Sequence, residues 1–309
     1  FLSLCPKGIR IQNTSINYLG LCMSLNKESQ HTGKLILSKN GFDVIECDQC
    51  QFKHVLPIPT EQELAQVYQE DYYQTDKPLY LDSFKENKEW WNYYYDSRLQ
   101  QLTTHLKGTP LEPPYSLIDI GSGPGYFLSR ANHLNWKALG IEPSKQAAEY
   151  CQTQNLSVVN DFLTRENVST LGKFDVVNLC KVLEHIPDPQ ALINLTRQLL
   201  NPQGLICIEV PNDFSPFQLA ATHDKTTESW WVAPPHHINY FNLSSLETLL
   251  QKTGFEVLSK TTSFPIDLFL LMGDHYIGND ELGKQCHQKV KSFELALANA
   301  GFGDLANDF

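Results

Sequence analysis

The stretch Leu117-Ile118-Asp119-Ile120-Gly121-Ser122-Gly123-Pro124-Gly125-Tyr126-Phe127-Leu128 constrains this chain more than any other. An apolar run meets an acid, three glycines follow at alternate positions, and a helix-like pattern begins. The order reads as strand, tight turn, helix. Glycine lets the backbone turn sharply and lets a ligand come close to the main chain. Free N–H groups at the start of the next helix favour a negative or polar ligand group.

From residue 115 onward, short apolar runs alternate with helical patterns. Strands are expected at Ser116–Ile120, Lys137–Ile141, Ser157–Val159, Phe174–Leu179, Leu205–Val210 and around Phe255–Leu258. Helices are expected at Tyr126–Asn135, Lys145–Asn155, Pro189–Leu200 and Leu243–Thr253. Near-continuous apolar strands separated by helices predict a parallel sheet covered on both faces. The expected class is α/β, a Rossmann-like doubly wound and mostly parallel sheet, with ligands bound at the carboxyl ends of its strands.

Four segments are expected. Residues 1–60 form a degenerate zinc-ribbon-like or irregular module, and 61–110 an aromatic-rich helical cap. The sheet domain covers 111–262, and 263–309 is helical. Residues 1–22, ahead of Met23, show no clear pattern and read as a fragment edge or upstream read-through. No reversed last strand is recognisable after Leu258, which suggests a truncated end.

Lys34–Leu37 and Phe42–Glu46 read as a hairpin around Asn40-Gly41, a strong turn signal. Cys47-Asp48-Gln49-Cys50 follows, which is half of a zinc ribbon. No second cysteine pair exists. A zinc held by Cys47 and Cys50 would need Cys22, His31 or His54 to complete it; the alternative is a metal-free ribbon or plain buried thiols. Thr60 with Glu63 fits a capping box ahead of helices rich in aromatics, from Tyr68, Tyr72, Tyr73 and Tyr80 to Phe84 and Trp90–Tyr95. These pack on the main domain or close over a ligand.

Composition narrows the partners. The formal net charge of −11 gives no basic footprint for a nucleic acid, and no apolar run reaches the roughly 18 residues of a membrane span. A small-molecule substrate is expected. The eight cysteines are scattered, unlike a disulfide framework, and a reducing cytoplasm is the simplest setting. Oligomeric state is not readable.

Glu142 lies at the end of the second strand, placed to accept hydrogen bonds from two ribose hydroxyls. A dinucleotide loop wants G-x-G-x-x-G, whereas here the third glycine falls one residue early and Tyr126 stands in its place. Asp119 through Gly125, Glu142, and the stretch Phe174–Pro189 containing Leu183-Glu184-His185 resemble a class I S-adenosylmethionine-dependent methyltransferase. The resemblance covers Tyr115–Lys260. It implies that Gly121, Ser122, Gly123 and Gly125, with Tyr126 and Phe127, wrap the methionine portion of the cofactor, and that Asp119 lies near its amino group. It further implies Glu142 and Pro143 at the ribose, Asp161 and Phe162 beside the adenine, and Cys180 and Lys181 on the pocket floor. The Cys-x-x-Cys, Pro57–Thr60 and Tyr68–Tyr73 are also similar to bacterial methyltransferases with a small zinc-ribbon-like module, several of which act on sugar nucleotides or other small metabolites.

Methyl transfer to oxygen or carbon often requires removal of a proton, and histidine has a suitable pKa. His185 follows the fourth strand. Trp230–Phe241 carries two Trp, two Pro, two His and a Tyr, which is costly to leave exposed. Its His-x-x-Tyr-Phe part resembles the base-bearing segment of sugar C-methyltransferases, so His237 is the expected base, with Tyr240 next. The expected function is methyl transfer from S-adenosylmethionine to carbon or oxygen of a small metabolite, a sugar nucleotide among them. Two alternatives stay open: an NAD(P)-dependent oxidoreductase on a related sheet, and a non-catalytic protein that keeps the cofactor fold.

Overall fold

The computed structural model describes residues 2–4, 9–11, 31–60, 63–64, 84–223 and 227–303. In chain order the strands are β1 (Leu2–Leu4), β2 (Ile9–Ile11), β3 (Gly33–Lys39), β4 (Phe42–Cys47), β5 (Lys53–Leu56), β6 (Ser116–Ile120), β7 (Lys137–Ile141), β8 (Val158–Val159), β9 (Phe174–Cys180), β10 (Leu200–Val210), β11 (Asn239–Tyr240), β12 (Phe255–Val257) and β13 (Thr261–Thr262). The helices used below are α1 (Lys88–Leu106), α2 (Tyr126–His133), α3 (Lys145–Thr153), α4 (Pro189–Leu199), α5 (Pro216–Ala221), α6 (Leu243–Lys252), α7 (Asp267–Leu271) and α8 (Asp280–Asn299).

The main sheet has the order β12-β2-β10-β9-β6-β7-β8. Its five strands β10, β9, β6, β7 and β8 run parallel. Neighbouring residues on one strand point to opposite faces, and here both faces are buried. Leu117, Val176 and Cys207 join one core with α1 and α2; Ile118, Val177, Ile206 and Ile208 join the other with α4 and α6. Each buried aliphatic side chain contributes about 1.5–3 kcal/mol, which is why alternation disappears from these strands and near-continuous apolar runs replace it.

Two expectations are corrected at the sheet edge. A reversed strand does sit between β10 and β12, and it comes from the front of the chain: β2 runs antiparallel to both neighbours. β1 pairs antiparallel with β10 at Leu2–Val210 and with β13. Residues 2–4 and 9–11 therefore belong to the main sheet and not to an N-terminal module. Strands of three residues leave no period to read.

The second sheet has the order β11-β5-β4-β3. The β3–β4 hairpin turns at Asn40-Gly41, both at positive φ (52° and 81°), with Lys39 opposite Phe42; this is the primed turn that Asn-Gly specifies. β11 ties the sheet to the main domain, with Asn239 opposite His54 and Tyr240 opposite Lys53. The Trp230–Phe241 segment covers it: Trp231, Val232, Ile238 and Tyr240 share a core with Val44 and Val55.

Thr60 and Glu63 form their capping box, with the Thr60 N–H donating to the Glu63 carboxylate at 2.8 Å and the Glu63 N–H to Thr60 Oγ1 at 3.3 Å. Tyr68, Tyr72, Tyr73, Tyr80 and Cys22 lie outside the described residues. The aromatics of α1 pack. Trp90 Nε1 donates to Glu294 of α8 at 2.6 Å, and Tyr95 meets Phe127 of α2. Residues 267–271 and 280–299 are helical, as expected.

Candidate active site

The glycine loop leaves β6 and enters α2. Gly121, Gly123 and Gly125 take φ of 70°, 53° and 78°, a region L side chains avoid. The loop is also tightly backed. A Cβ on Gly121 would lie 2.9 Å from Val182 Cγ2, and one on Gly125 would lie 2.6 Å from Leu156 Cδ1 and 2.8 Å from Cys151 Sγ. Gly140 of β7, which the sequence reading did not single out, leaves room for Ser122: its Cβ would fall 2.5 Å from Ser122 Oγ.

Two buried acids flank the loop. Glu142, at the end of β7, accepts from the Gly123 N–H at 2.8 Å and the Ser144 N–H at 2.8 Å. Burial raises its pKa, and these two bonds pull it back. Its carboxylate thus fixes the loop and retains lone pairs for a ligand. Asp119 is the penultimate residue of β6 and accepts from Asn178 Nδ2 at 2.6 Å. Burial pushes its carboxyl up to about 7, opposed by Asn178 and by the Arg98 guanidinium.

Arg98 of α1 is a residue that sequence reading missed. It is buried and ion-paired with Glu209 of β10, and its Nη1 has no hydrogen-bond partner among the described residues. Nothing around position 98 signals a site, because α1 lies outside the strand–helix alternation and reaches the loop only by docking. Lys181 follows β9 at φ 57°, its N–H donating to the Glu209 carbonyl at 2.8 Å. Cys180 precedes it as the last residue of β9. Pro143 sits beside Glu142, and Asn160 Nδ2 donates to both carbonyls, at 2.8 and 3.0 Å. Asp161 and Phe162 follow β8, held by Asn167, which donates to Asp161 Oδ2 at 3.1 Å and the Phe162 carbonyl at 2.7 Å. Tyr126 stacks face to face on Phe84 with centroids 3.4 Å apart, and Phe127 is buried against α1. The residues expected at the cofactor thus gather at the carboxyl ends of β6, β7, β8 and β9.

These residues suit a ligand with an ammonium, a carboxylate and a ribose. Asp119 offers a buried carboxyl, Arg98 an unsatisfied N–H, Glu142 carboxylate lone pairs, and the loop a Cβ-free cradle.

A second cluster joins distant segments. A single 3₁₀ turn, Leu183–His185, is clipped to residues 236–239. His185 Nδ1 lies 2.7 Å from the His236 carbonyl, so it carries the proton and Nε2 bears the lone pair. The Ile238 N–H donates to the Glu184 carbonyl at 2.9 Å, and Asn239 Nδ2 donates to the Leu183 and Ile186 carbonyls at 2.9 and 2.7 Å. The His185 and His237 rings meet edge to face with centroids 4.9 Å apart. Glu184 Oε1 lies 3.8 Å from His185 Nε2. Tyr240 is placed differently from the expected base: its buried hydroxyl donates to the His237 carbonyl at 2.8 Å. Burial, then Asp213, raises its pKa, so it stays protonated and acts as a strut. Asp213, also not anticipated, is buried after β10 and held well above the carboxylate range by burial and by Glu184.

The Cys-x-x-Cys forms its own group with His31 and His54, described below. Burial, then Cys47, pushes the Cys50 thiol up to about 12.

A family model described as a methyltransferase domain matches residues 90–260, more than half of the 309. The chain belongs to this methyltransferase family, class I and S-adenosylmethionine-dependent. S-adenosylmethionine is its cofactor, and the oxidoreductase alternative falls away. Similar curated proteins include ubiquinone biosynthesis O-methyltransferases. That of Actinobacillus pleuropneumoniae is 27% identical over 31% of this chain and 45% of its own length. That of Methylococcus capsulatus is 31% identical over 31% and 43%. The chain spans about half the length of the curated relatives it matches. Among solved structures, a SAM-dependent methyltransferase from Archaeoglobus fulgidus is 21% identical with TM-score 0.42, covering 53% of this chain and 69% of that one. The plantazolicin methyltransferase BpumL in complex with SAH is 18% identical with TM-score 0.48, covering 73% and 89%. Among the described residues, no helix is long and apolar enough to cross a membrane.

Proposed function

We propose that this methyltransferase transfers a methyl group to a hydroxyl oxygen of a small molecule, with the His185–His237 pair taking the acceptor's proton. The observation that carries this is the fixed tautomer of His185: its Nδ1–H is committed to the His236 carbonyl, which puts the lone pair on Nε2, with the His237 ring and Glu184 Oε1 beside it. The names of the curated relatives support oxygen over the sugar-nucleotide or carbon acceptors that the sequence resemblance raised.

Bound S-adenosylmethionine supplies an electrophilic sulfonium methyl. The chain supplies the rest. Gly121–Gly125 cradle the methionine portion, Asp119 faces the ammonium, Arg98 meets the carboxylate and Glu142 holds the ribose. Asp161 and Phe162 flank the adenine, and Cys180 and Lys181 form the floor. His237 is the base closest in role to that expected from the sequence. His185 hands it a second acceptor nitrogen, and Tyr240 holds its backbone. Glu184 beside His185 stabilises the imidazolium that forms when the proton arrives.

The test is label transfer from radioactive S-adenosylmethionine to a panel of phenols and other small hydroxyl compounds. His237→Ala and His185→Gln are each expected to lower kcat by about 10²–10⁴-fold with S-adenosylhomocysteine affinity unchanged. Full turnover in both variants overturns the assignment. Absence of transfer to every hydroxyl acceptor, in a protein that binds the cofactor, favours the non-catalytic alternative.

A further inference from the structure

Four potential ligands that are scattered in sequence meet at one end of the small sheet. His31 precedes β3, Cys47 ends β4, Cys50 lies in the following turn and His54 is on β5. One donor atom from each lies within 4.8 Å of all the others. His31 Nδ1 is 3.5 Å from Cys47 Sγ and 3.4 Å from Cys50 Sγ. Zinc–sulfur bonds of about 2.3 Å and zinc–nitrogen bonds of about 2.0–2.1 Å give tetrahedron edges of about 3.4–3.8 Å. The His31–sulfur separations have that length.

Two further observations point inward. The Cys50 N–H donates to Cys47 Sγ at 3.4 Å, which ties that sulfur to the turn carrying Cys50. His54 is 1% exposed, and its Nδ1 lies 2.9 Å from the Val55 carbonyl. Nδ1 therefore carries the proton, and the lone pair is on Nε2. That nitrogen is buried and has no hydrogen-bond partner among the described residues. A buried acceptor left without a partner costs about 1–3 kcal/mol, and a cation within the cluster removes the cost. Fixing a ligating imidazole through its other nitrogen is also how histidine ligands are oriented.

We infer that His31, Cys47, Cys50 and His54 bind one structural Zn²⁺ ion as a closed Cys₂His₂ site. Two thiolates and two imidazoles suit zinc, and four protein ligands leave no open position for catalysis. Binding releases the two thiol protons to solvent. The second cysteine pair of a ribbon is replaced by a histidine before the hairpin and one on the returning strand. The ion also has a mechanical role. His54 lies opposite Asn239 across the β5–β11 pair, and the Val55 N–H donates to the Ile238 carbonyl at 2.9 Å. Holding His54 therefore holds the strand on which residues 238–240 are laid. This role does not depend on which histidine is the base.

The full chain, expressed in zinc-sufficient medium and passed through gel filtration, should carry about one zinc by plasma mass spectrometry. His31→Asn and Cys50→Ser should each lower zinc affinity at least tenfold, with circular dichroism showing that the variants fold. Cobalt in place of zinc should give the strong visible absorption of a tetrahedral thiolate site in the unmodified protein. Chelating the zinc should speed amide exchange at residues 53–56 and 238–240. Zinc well below one per chain with a weak, octahedral cobalt spectrum overturns the site, as does undiminished zinc affinity in both variants. If the variants do not fold, the cobalt spectrum decides alone. Unchanged exchange after chelation overturns the anchoring role.

Discussion

In the proposed function Asp119 faces the cofactor ammonium, so a single proton on it decides how well that cation is held. Its carboxyl is raised to about 7, with burial the main cause, and a cofactor ammonium favours the ionised form. Affinity for S-adenosylhomocysteine should therefore rise with pH through about 7 and level off above it. Below that point it should fall by up to about tenfold per pH unit, the limit for one linked proton. Calorimetry between pH 5.5 and 8.5 reads this directly, and Asp119→Asn should bind weakly with a flat profile. The same raised pKa means that this residue's contribution to apo-protein stability falls as pH rises from 3.8 toward 7, because the folded state holds the proton longer. The placement of Asp119 and Glu142 beside the glycine loop was legible in the sequence, because one lies on the strand that feeds the loop and the other directly follows the next strand. Arg98 and Asp213 were not, and Glu184 was visible only as part of the Leu183-Glu184-His185 motif. Arg98 reaches Asp119 only through helix docking, and the acid paired with a histidine comes from position 184, not from the residue before His237. The direction of the Tyr240 hydroxyl was not legible, because only the fold shows it turned to the His237 carbonyl.

At the scale of elements, the alternation of strand and helix was readable because burial on both faces writes continuous apolar runs into β6, β9 and β10. The Asn40-Gly41 hairpin was readable because its turn type demands those residues. The front strands were not, since β1 and β2 are three residues each and their pairing is set by the edge they fill. The metal group was half readable: Cys47 and Cys50 are close in sequence, whereas His31 and His54 come together only when β3, β4 and β5 align. The strand–loop–helix unit yields a paired prediction. Gly125→Ala places a Cβ at φ 78° within 2.6 Å of Leu156 Cδ1 and 2.8 Å of Cys151 Sγ, so the loop must shift. S-adenosylhomocysteine affinity should drop by at least tenfold. Gly283 lies inside α8, and a Cβ there meets nothing within 4 Å. Gly283→Ala should stabilise the protein by up to about 1 kcal/mol through helix propensity, without changing cofactor affinity. Thermal unfolding and calorimetry on the two variants separate the effects.

Across the whole molecule, one buried polar network joins parts that the sequence presents as separate. Arg98 of α1 pairs with Glu209 at the end of β10, and Tyr94 donates to the same carboxylate. Lys181 Nζ, directly after β9, is 3.8 Å from the other Glu209 oxygen. Trp90, one turn before Tyr94, then ties α1 to α8 through Glu294. The aromatic-rich helix is in this way clamped between the sheet and the C-terminal helix, with a buried charge at its centre. Both partners of the ion pair are almost fully buried, at 4% and 1% exposure, so removing either alone strands the other in a poor solvent for charge. Glu209→Ala should cost about 3–5 kcal/mol in denaturant unfolding, and Arg98→Met a similar amount. The double variant should be less destabilised than the sum, because no unpaired charge remains. Cofactor binding distinguishes the two roles of Arg98. If its guanidinium meets the cofactor carboxylate, the double variant recovers stability but not S-adenosylhomocysteine affinity. Recovery of both would make Arg98 purely a structural partner of Glu209.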